Sequence, residues 1–220
     1  MLKVKIPELI DLLEAAYGPR PLKPNGDPLG ELIQTILSQN TSDANSRPAY
    51  QNLRRAFPRW EQVLDAPVQA IAEPIKSGGL AVIKAKRIQE ALREILRQRG
   101  HLNLDFLNEL PVKEGLEWLK SLKGVGDKTA NCVLLFALGK PALPVDTHIF
   151  RVSKRLGLIP PKASFEEAHQ SLIKKVPTAR LYPFHMLMIE HGRRVCSAQR
   201  PRCPDCPLNA VCPSYSVYVK

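Results

Sequence analysis

Residues 122–139 read LKGVGDKTANCVLLFALG: a loop with two glycines, Gly124 and Gly126, then Lys128, then an almost wholly apolar helix. The first turn of a helix carries unpaired N–H groups and a partial positive charge, so it favours capping and acidic residues over a cation. Lys128 therefore either escapes into solvent, the plainer alternative, or is held there for its chemistry. At 100° per residue Ala130, Val133, Leu134 and Ala137 share one face, and Lys128 lies opposite with Cys132 and Leu135. A helix apolar on both sides is expected to be buried on both sides, here between two domains, with Lys128 emerging where the cleft between them opens. Gly124 and Gly126 suit a tight turn that needs positive φ or close backbone approach. Such a turn at a helix start offers N–H groups to a phosphate, and an uncharged lysine amine beside it is a nucleophile able to form a Schiff base.

Around this stretch, helical periodicity dominates. IPELIDLLEAA, LGELIQTILSQ, RPAYQNLRRAF, IKAKRIQEALREILRQ, VKEGLEWLKSL and FEEAHQSLIKKV each space apolar residues three and four apart, and alternating β-type stretches are missing. The fold class is therefore all-α. Two Pro- and Gly-rich stretches, Tyr17 to Pro28 and Leu138 to His148, read as crossings between domains. They predict a central six-helix domain over residues 25–140, and a second domain assembled from residues 1–24 and 141–220.

The 220 residues carry 32 Lys and Arg against 21 Asp and Glu, a formal net charge of +11. Such an excess favours a polyanionic partner, nucleic acid before membrane. The longest apolar run, Cys132 to Leu138, is far short of the ~20 residues that span a bilayer. The opening MLKVKIPELIDLL has charges inside its apolar pattern and reads as an amphipathic helix, not a signal peptide. The expectation is a soluble intracellular monomer, in cytoplasm or nucleoid, with no membrane partner.

Five cysteines in such a chain argue against a disulfide framework. Cys132 stands alone and reads as a small buried hydrophobe. The other four follow the spacing Cys196-x6-Cys203-x2-Cys206-x5-Cys212, a set of thiolates that suits zinc or an iron–sulfur cluster.

Taken in order, LKGVGDKTAN, VDTHIFRV and the four-cysteine spacing resemble endonuclease III, of the helix-hairpin-helix DNA glycosylases, from about Leu29 to Cys212. The resemblance implies a bifunctional DNA glycosylase and abasic-site β-lyase of base excision repair, acting on oxidised pyrimidines in double-stranded DNA. It makes the hairpin the two helices around Gly124, Val125 and Gly126, Lys128 the Schiff-base nucleophile and Asp146 the catalytic carboxylate. It places a structural [4Fe–4S] cluster on Cys196, Cys203, Cys206 and Cys212, and it requires no diffusible cofactor. The cluster loop would carry Arg200 and Arg202 toward phosphate. Leu80, at a glycine turn before a helix bearing Lys84, Lys86 and Arg87, matches the residue that wedges into the duplex. Asn40 matches a contact to the unpaired base that is Gln in many relatives, and the adjacent Gln39 is the alternative.

Plainer roles remain for several of these side chains. Asp146 precedes an amphipathic helix and can be its N-cap, Leu80 can fold back on its helix, and His148 reads as packing or a local hydrogen bond. Asp127 departs from the family, where that position is commonly basic; it either tunes Lys128 or caps the helix. Two other functions compete: a mismatch or adenine glycosylase that uses activated water, whose members commonly lack the hairpin lysine, and a non-catalytic DNA-binding module.

Overall fold

The computed structural model describes residues 5–219, all helix, turn and loop with no strand among them. Met1–Val4, the start of the expected N-terminal amphipathic segment, lies outside the described residues. The chain forms two compact units: Pro24–Lys140, and Met1–Lys23 together with Pro141–Lys220.

The Pro24–Lys140 unit contains α2 (Pro28–Ser38), α3 (Asp43–Ala56), α4 (Trp60–Asp65), α5 (Val68–Ala72), α6 (Ala81–Arg99), α7 (Val112–Ser121) and α8 (Asp127–Cys132). Its centre is α2. Asp27 caps that helix by accepting from the Gly30 amide at 2.8 Å, and Pro28 suits the first helical position because no N–H is needed there. Leu32, Ile33, Ile36 and Leu37 are sealed from solvent, as are Leu53, Ile88, Leu92, Val133 and Leu134 around them. Each such burial favours the folded chain by ~1.5–3 kcal/mol before ordering entropy is set against it.

Helix α8 does not continue as the single α-helix that a 100° repeat describes. From Val133 to Ala137 the backbone becomes a π-helix. The carbonyls of Phe136 and Ala137 there accept from the amides of Asn25 and Gly26, at 3.0 and 3.1 Å. Burial on both sides still holds, since Cys132 and Leu135 are as enclosed as Val133 and Leu134.

The other unit joins α1 (Ile6–Tyr17) to α9 (Thr147–Arg155), α10 (Phe165–Lys175), α11 (Leu181–Arg194) and α12 (Tyr215–Tyr218). Leu9, Ile10 and Leu13 of α1 share one core with Val152, Leu172, Phe184, Leu187 and Met188. Polar ties reinforce the packing: Arg180 pairs with Asp11 and Glu14 at 2.7 and 3.0 Å, and Arg20 with Glu190 at 2.5 Å. Both ends of the chain thus build one unit.

Candidate active site and cysteine loop

The hairpin is made by α7, the loop 122–126 and α8. Leu122 and Val125 are buried anchors, and the Val125 amide closes the turn on the Leu122 carbonyl at 3.0 Å. Gly124 supplies the left-handed step, φ 84°, that lets the chain reverse. Gly126 does not share that need: its φ of −99° and ψ of −177° are extended, and a Cβ there would meet nothing within 4 Å. The sequence-based requirement for positive φ therefore holds at Gly124 alone.

Lys128 is half-buried in the first turn of α8. The carboxylate beside it is already engaged, because Asp127 Oδ1 lies 2.6 Å from the Lys120 ammonium on α7. Asp127 is thus a brace between the two hairpin helices. Sequence reading passed over another electrostatic neighbour of Lys128: Glu31 on α2, 8% exposed. Its carboxylate accepts from Asn25 Nδ2 at 2.9 Å and Thr35 Oγ1 at 3.3 Å. Burial pushes the Glu31 carboxyl above its ordinary range, against those two bonds and the field of Lys128.

Asn40 and Leu80 share an unusual backbone. They are the two non-glycine residues of positive φ among the described residues, 55° and 51°. Asn40 is exposed, whereas Gln39 is occupied: its Oε1 accepts from Arg87 at 2.9 Å and its Nε2 donates to the Gly124 carbonyl at 3.3 Å. Leu80 is 53% exposed, so it does not fold back onto α6. The three basic residues after it also separate. Lys86 is exposed, Arg87 holds Gln39, and Lys84 is buried.

Asp146 lies in the other unit and is the N-cap of α9, its Oδ1 accepting from the Ile149 amide at 2.8 Å. Only one carboxylate oxygen serves the cap. The segment that delivers it is pinned by two histidines that sequence reading did not single out. His169 donates through Nδ1 to the Leu143 carbonyl at 3.1 Å, and His185 to the Pro144 carbonyl at 2.8 Å. His148 has a local bond, its Nδ1 accepting from Arg151 at 3.1 Å, and burial holds its pKa below the usual value.

Cys196, Cys203, Cys206 and Cys212 line one pocket, together with Arg155, His191 and Leu208. They form its wall rather than converging on a point: among the described residues no three His, Cys, Asp or Glu side chains are placed to grip a single ion. A cubane cluster binds each thiolate at a separate iron, so a lined pocket suits it. The surroundings fit thiolate ligands. Arg155 donates to Cys196 Sγ at 3.2 Å and the Leu208 amide to Cys206 Sγ at 3.4 Å. Burial raises the thiol pKa values of Cys203, Cys212 and Cys206, the last to about 11, so the fold favours neutral sulfur unless a metal centre compensates the charge. His191, whose pKa burial lowers to about 4, bridges Tyr17 Oη at 2.9 Å to Cys206 Sγ at 3.7 Å. Arg200 and Arg202 are both exposed on the cysteine loop, and Arg202 also donates to the Arg194 carbonyl at the end of α11.

Residues 33–178 match the HhH-GPD superfamily base excision DNA repair protein family. Endonuclease III of Thermotoga maritima is 37% identical over 189 residues, covering 86% of this chain and 84% of that protein. A longer protein of Arabidopsis thaliana is 37% identical over 190 residues; the match takes in 82% of this chain and only 64% of that protein. Among solved structures, a trapped endonuclease III–DNA covalent intermediate in an estranged-adenine complex superposes with a TM-score of 0.83 at 31% identity, covering 98% of this chain and 97% of that one.

Proposed function

The chain belongs to the HhH-GPD superfamily of base excision DNA repair proteins, and we propose that it is a bifunctional DNA glycosylase and abasic-site lyase that removes oxidised pyrimidines from duplex DNA. The observation that carries this reading is Lys128 in the first turn of the hairpin's second helix, with the neighbouring carboxylate drawn away by Lys120.

In this reading the Lys128 amine adds to C1′ of the damaged nucleotide while the base departs with the electrons of the glycosidic bond. The base gains a proton and the amine gives one up. Opening of the sugar ring leaves a Schiff base between Nζ and C1′, and loss of a C2′ proton then expels the 3′ phosphate and cuts the strand. Asp146 keeps one oxygen in its cap and directs its negative charge to the cation developing on the sugar. Hairpin amides of Gly124 and Gly126 hold a phosphate on the turn that Val125 anchors, Arg200 and Arg202 add phosphate contacts, and Leu80 and Asn40 occupy the space left in the stack. Cys196, Cys203, Cys206 and Cys212 would hold a [4Fe–4S] cluster, which would cross-link the C-terminal loop.

Borohydride trapping on duplexes with an abasic site or an oxidised pyrimidine tests the scheme. Lys128→Gln should bind duplex but lose cross-linking, excision and strand cleavage by orders of magnitude. Asp146→Asn should still trap slowly at an abasic site while excision falls strongly. Wild-type cross-linking by Lys128→Gln would assign the nucleophile elsewhere. Lost cross-linking with normal excision would make water the attacking group, as in a mismatch or adenine glycosylase.

A further inference from the structure

Lys84 is an anomaly that the mechanism above leaves unused. It is among the largest fully buried side chains of the protein, 1% exposed, on a helix whose other basic residues reach outward or bind a side chain. Its ammonium donates to two backbone carbonyls, Leu37 at 2.6 Å and Gly78 at 2.7 Å. Leu37 lies in the last turn of α2, where carbonyls carry the negative end of the helix dipole, so a buried cation is favoured there. Burial and the charge of Arg87 lower the Lys84 pKa in opposition to that.

The two carbonyls stand just before the two left-handed residues. Leu37 precedes the turn in which the Thr41 amide closes on the Ser38 carbonyl at 3.3 Å, with Asn40 inside it. Gly78 precedes Gly79, φ 66°, and Leu80, φ 51°. Gly78 lies close against the end of α2 and against α3, since a Cβ there would sit 3.8 Å from the Leu37 oxygen and 3.2 Å from Ala49 Cβ. The backbone amide of Lys84 also donates to the Leu80 carbonyl at 2.9 Å, so one residue binds this turn at Gly78 and at Leu80. One turn further along α6, Arg87 holds Gln39, and Gln39 holds the hairpin at Gly124.

Positive φ at a leucine is strained backbone, and Leu80 is largely exposed, so its own side chain contributes little packing to offset that strain. We propose that Lys84 is a positioning residue: by binding the Leu37 and Gly78 carbonyls it locks Asn40 and Leu80 into one rigid two-pronged element that fills the duplex when a nucleotide is extruded. Lys84 itself touches no DNA. The inference rests on the glycosylase reading for its purpose, but the lock can be measured without any chemistry.

Lys84→Met keeps the length and packing of the stem and removes the donor. Two readouts separate positioning from a general structural role. In single-turnover assays, excision of thymine glycol from an intact duplex should fall about tenfold or more, while cleavage at a ready-made abasic site stays within about threefold, because less stacking must be broken there. In a binding assay, 2-aminopurine placed opposite the extruded nucleotide should gain less fluorescence with Lys84→Met than with wild type. Adding Lys84→Met to the Asn40→Ala, Leu80→Ala double variant should change little further. Should Lys84→Met not fold, Lys84→Gln, whose amide can serve one carbonyl, should give a smaller selective loss of the same kind. Equal losses on both substrates, or full additivity with the double variant, would overturn the positioning role. Wild-type protein that unstacked 2-aminopurine but neither trapped with borohydride nor released a base would refute the glycosylase reading and leave the lock standing.

Discussion

Glu31 occupies a place where a carboxylate is costly: inside the Pro24–Lys140 unit, 8% exposed, with two neutral donors and the field of Lys128 as its compensation. Desolvation is the largest influence and raises its pKa, so folding favours the protonated acid. Stability from this group is full below the ordinary glutamate range and is lost as pH rises through the elevated folded value. Glu31→Gln should therefore raise Tm at neutral pH, with the gain vanishing as pH falls below about 4. A lower Tm for the variant at pH 7 would mean that Lys128 and the two donors outweigh burial. Leu80 makes a second single-residue case. Leu80→Ala should impair excision from an intact pair more than cleavage at an abasic site, with little change in Tm because the side chain is exposed.

Two elements, the hairpin and the cysteine loop, owe their shape to ties that reach beyond them. In the hairpin, Lys120 on α7 and Asp127 on α8 form a half-exposed pair, of the kind worth ~0–1 kcal/mol. Asp127→Asn should cost no more than about 1 kcal/mol and leave borohydride trapping within about threefold. Lys120→Glu alone should weaken the hairpin by setting two carboxylates together, and the exchanged pair Lys120→Glu with Asp127→Lys should restore it. A collapse of trapping in Asp127→Asn with unchanged Tm would show that Asp127 acts on Lys128. In the cysteine loop the two arginines are unequal. Arg202 anchors the loop to the Arg194 carbonyl, while Arg200 is exposed and its carbonyl accepts from Ser197 Oγ at 2.6 Å. Arg200→Ala should lower the slope of log affinity against log salt by about one unit without loss of Tm; Arg202→Ala should lower both.

For the molecule as a whole, a net charge of +11 and a two-unit build have separate consequences. Counterion release should make duplex affinity fall steeply with salt, and a slope near zero would contradict DNA as the partner. The unit holding the four cysteines also contains α1, tied to α11 through Tyr17 and His191. Loss of one ligand should therefore be felt at both ends of the chain. Cys203→Ala should give poorly soluble protein with lowered Tm, and anaerobically purified wild type should be yellow-brown with stoichiometric iron. Stoichiometric zinc without iron would replace the cluster with a single-metal site, for which the cysteines would have to move together.

The all-helical class was legible because helices announce themselves locally: apolar residues three and four apart need no partner segment to be recognised. Membership of a helix-hairpin-helix family was legible for the same reason, since Gly124, Lys128, Asp146 and the cysteine spacing are written within short stretches. Helix α11 was harder to see, because Phe184, His185, Leu187, Met188 and His191 are buried around much of its circumference and blur any single apolar stripe. Lys84 left a trace that could have been followed: with Ile88, Ala91 and Ile95 it falls on the buried face of α6 at helical spacing. What it binds, though, lies 47 residues away at Leu37. The same holds for Gln39 on Gly124, 85 residues apart, and for His185 on Pro144, 41 apart. A local pattern states what a residue would prefer around it; which donor or acceptor meets that preference depends on segments brought together only when the chain is packed, and that tertiary packing decided every one of these contacts.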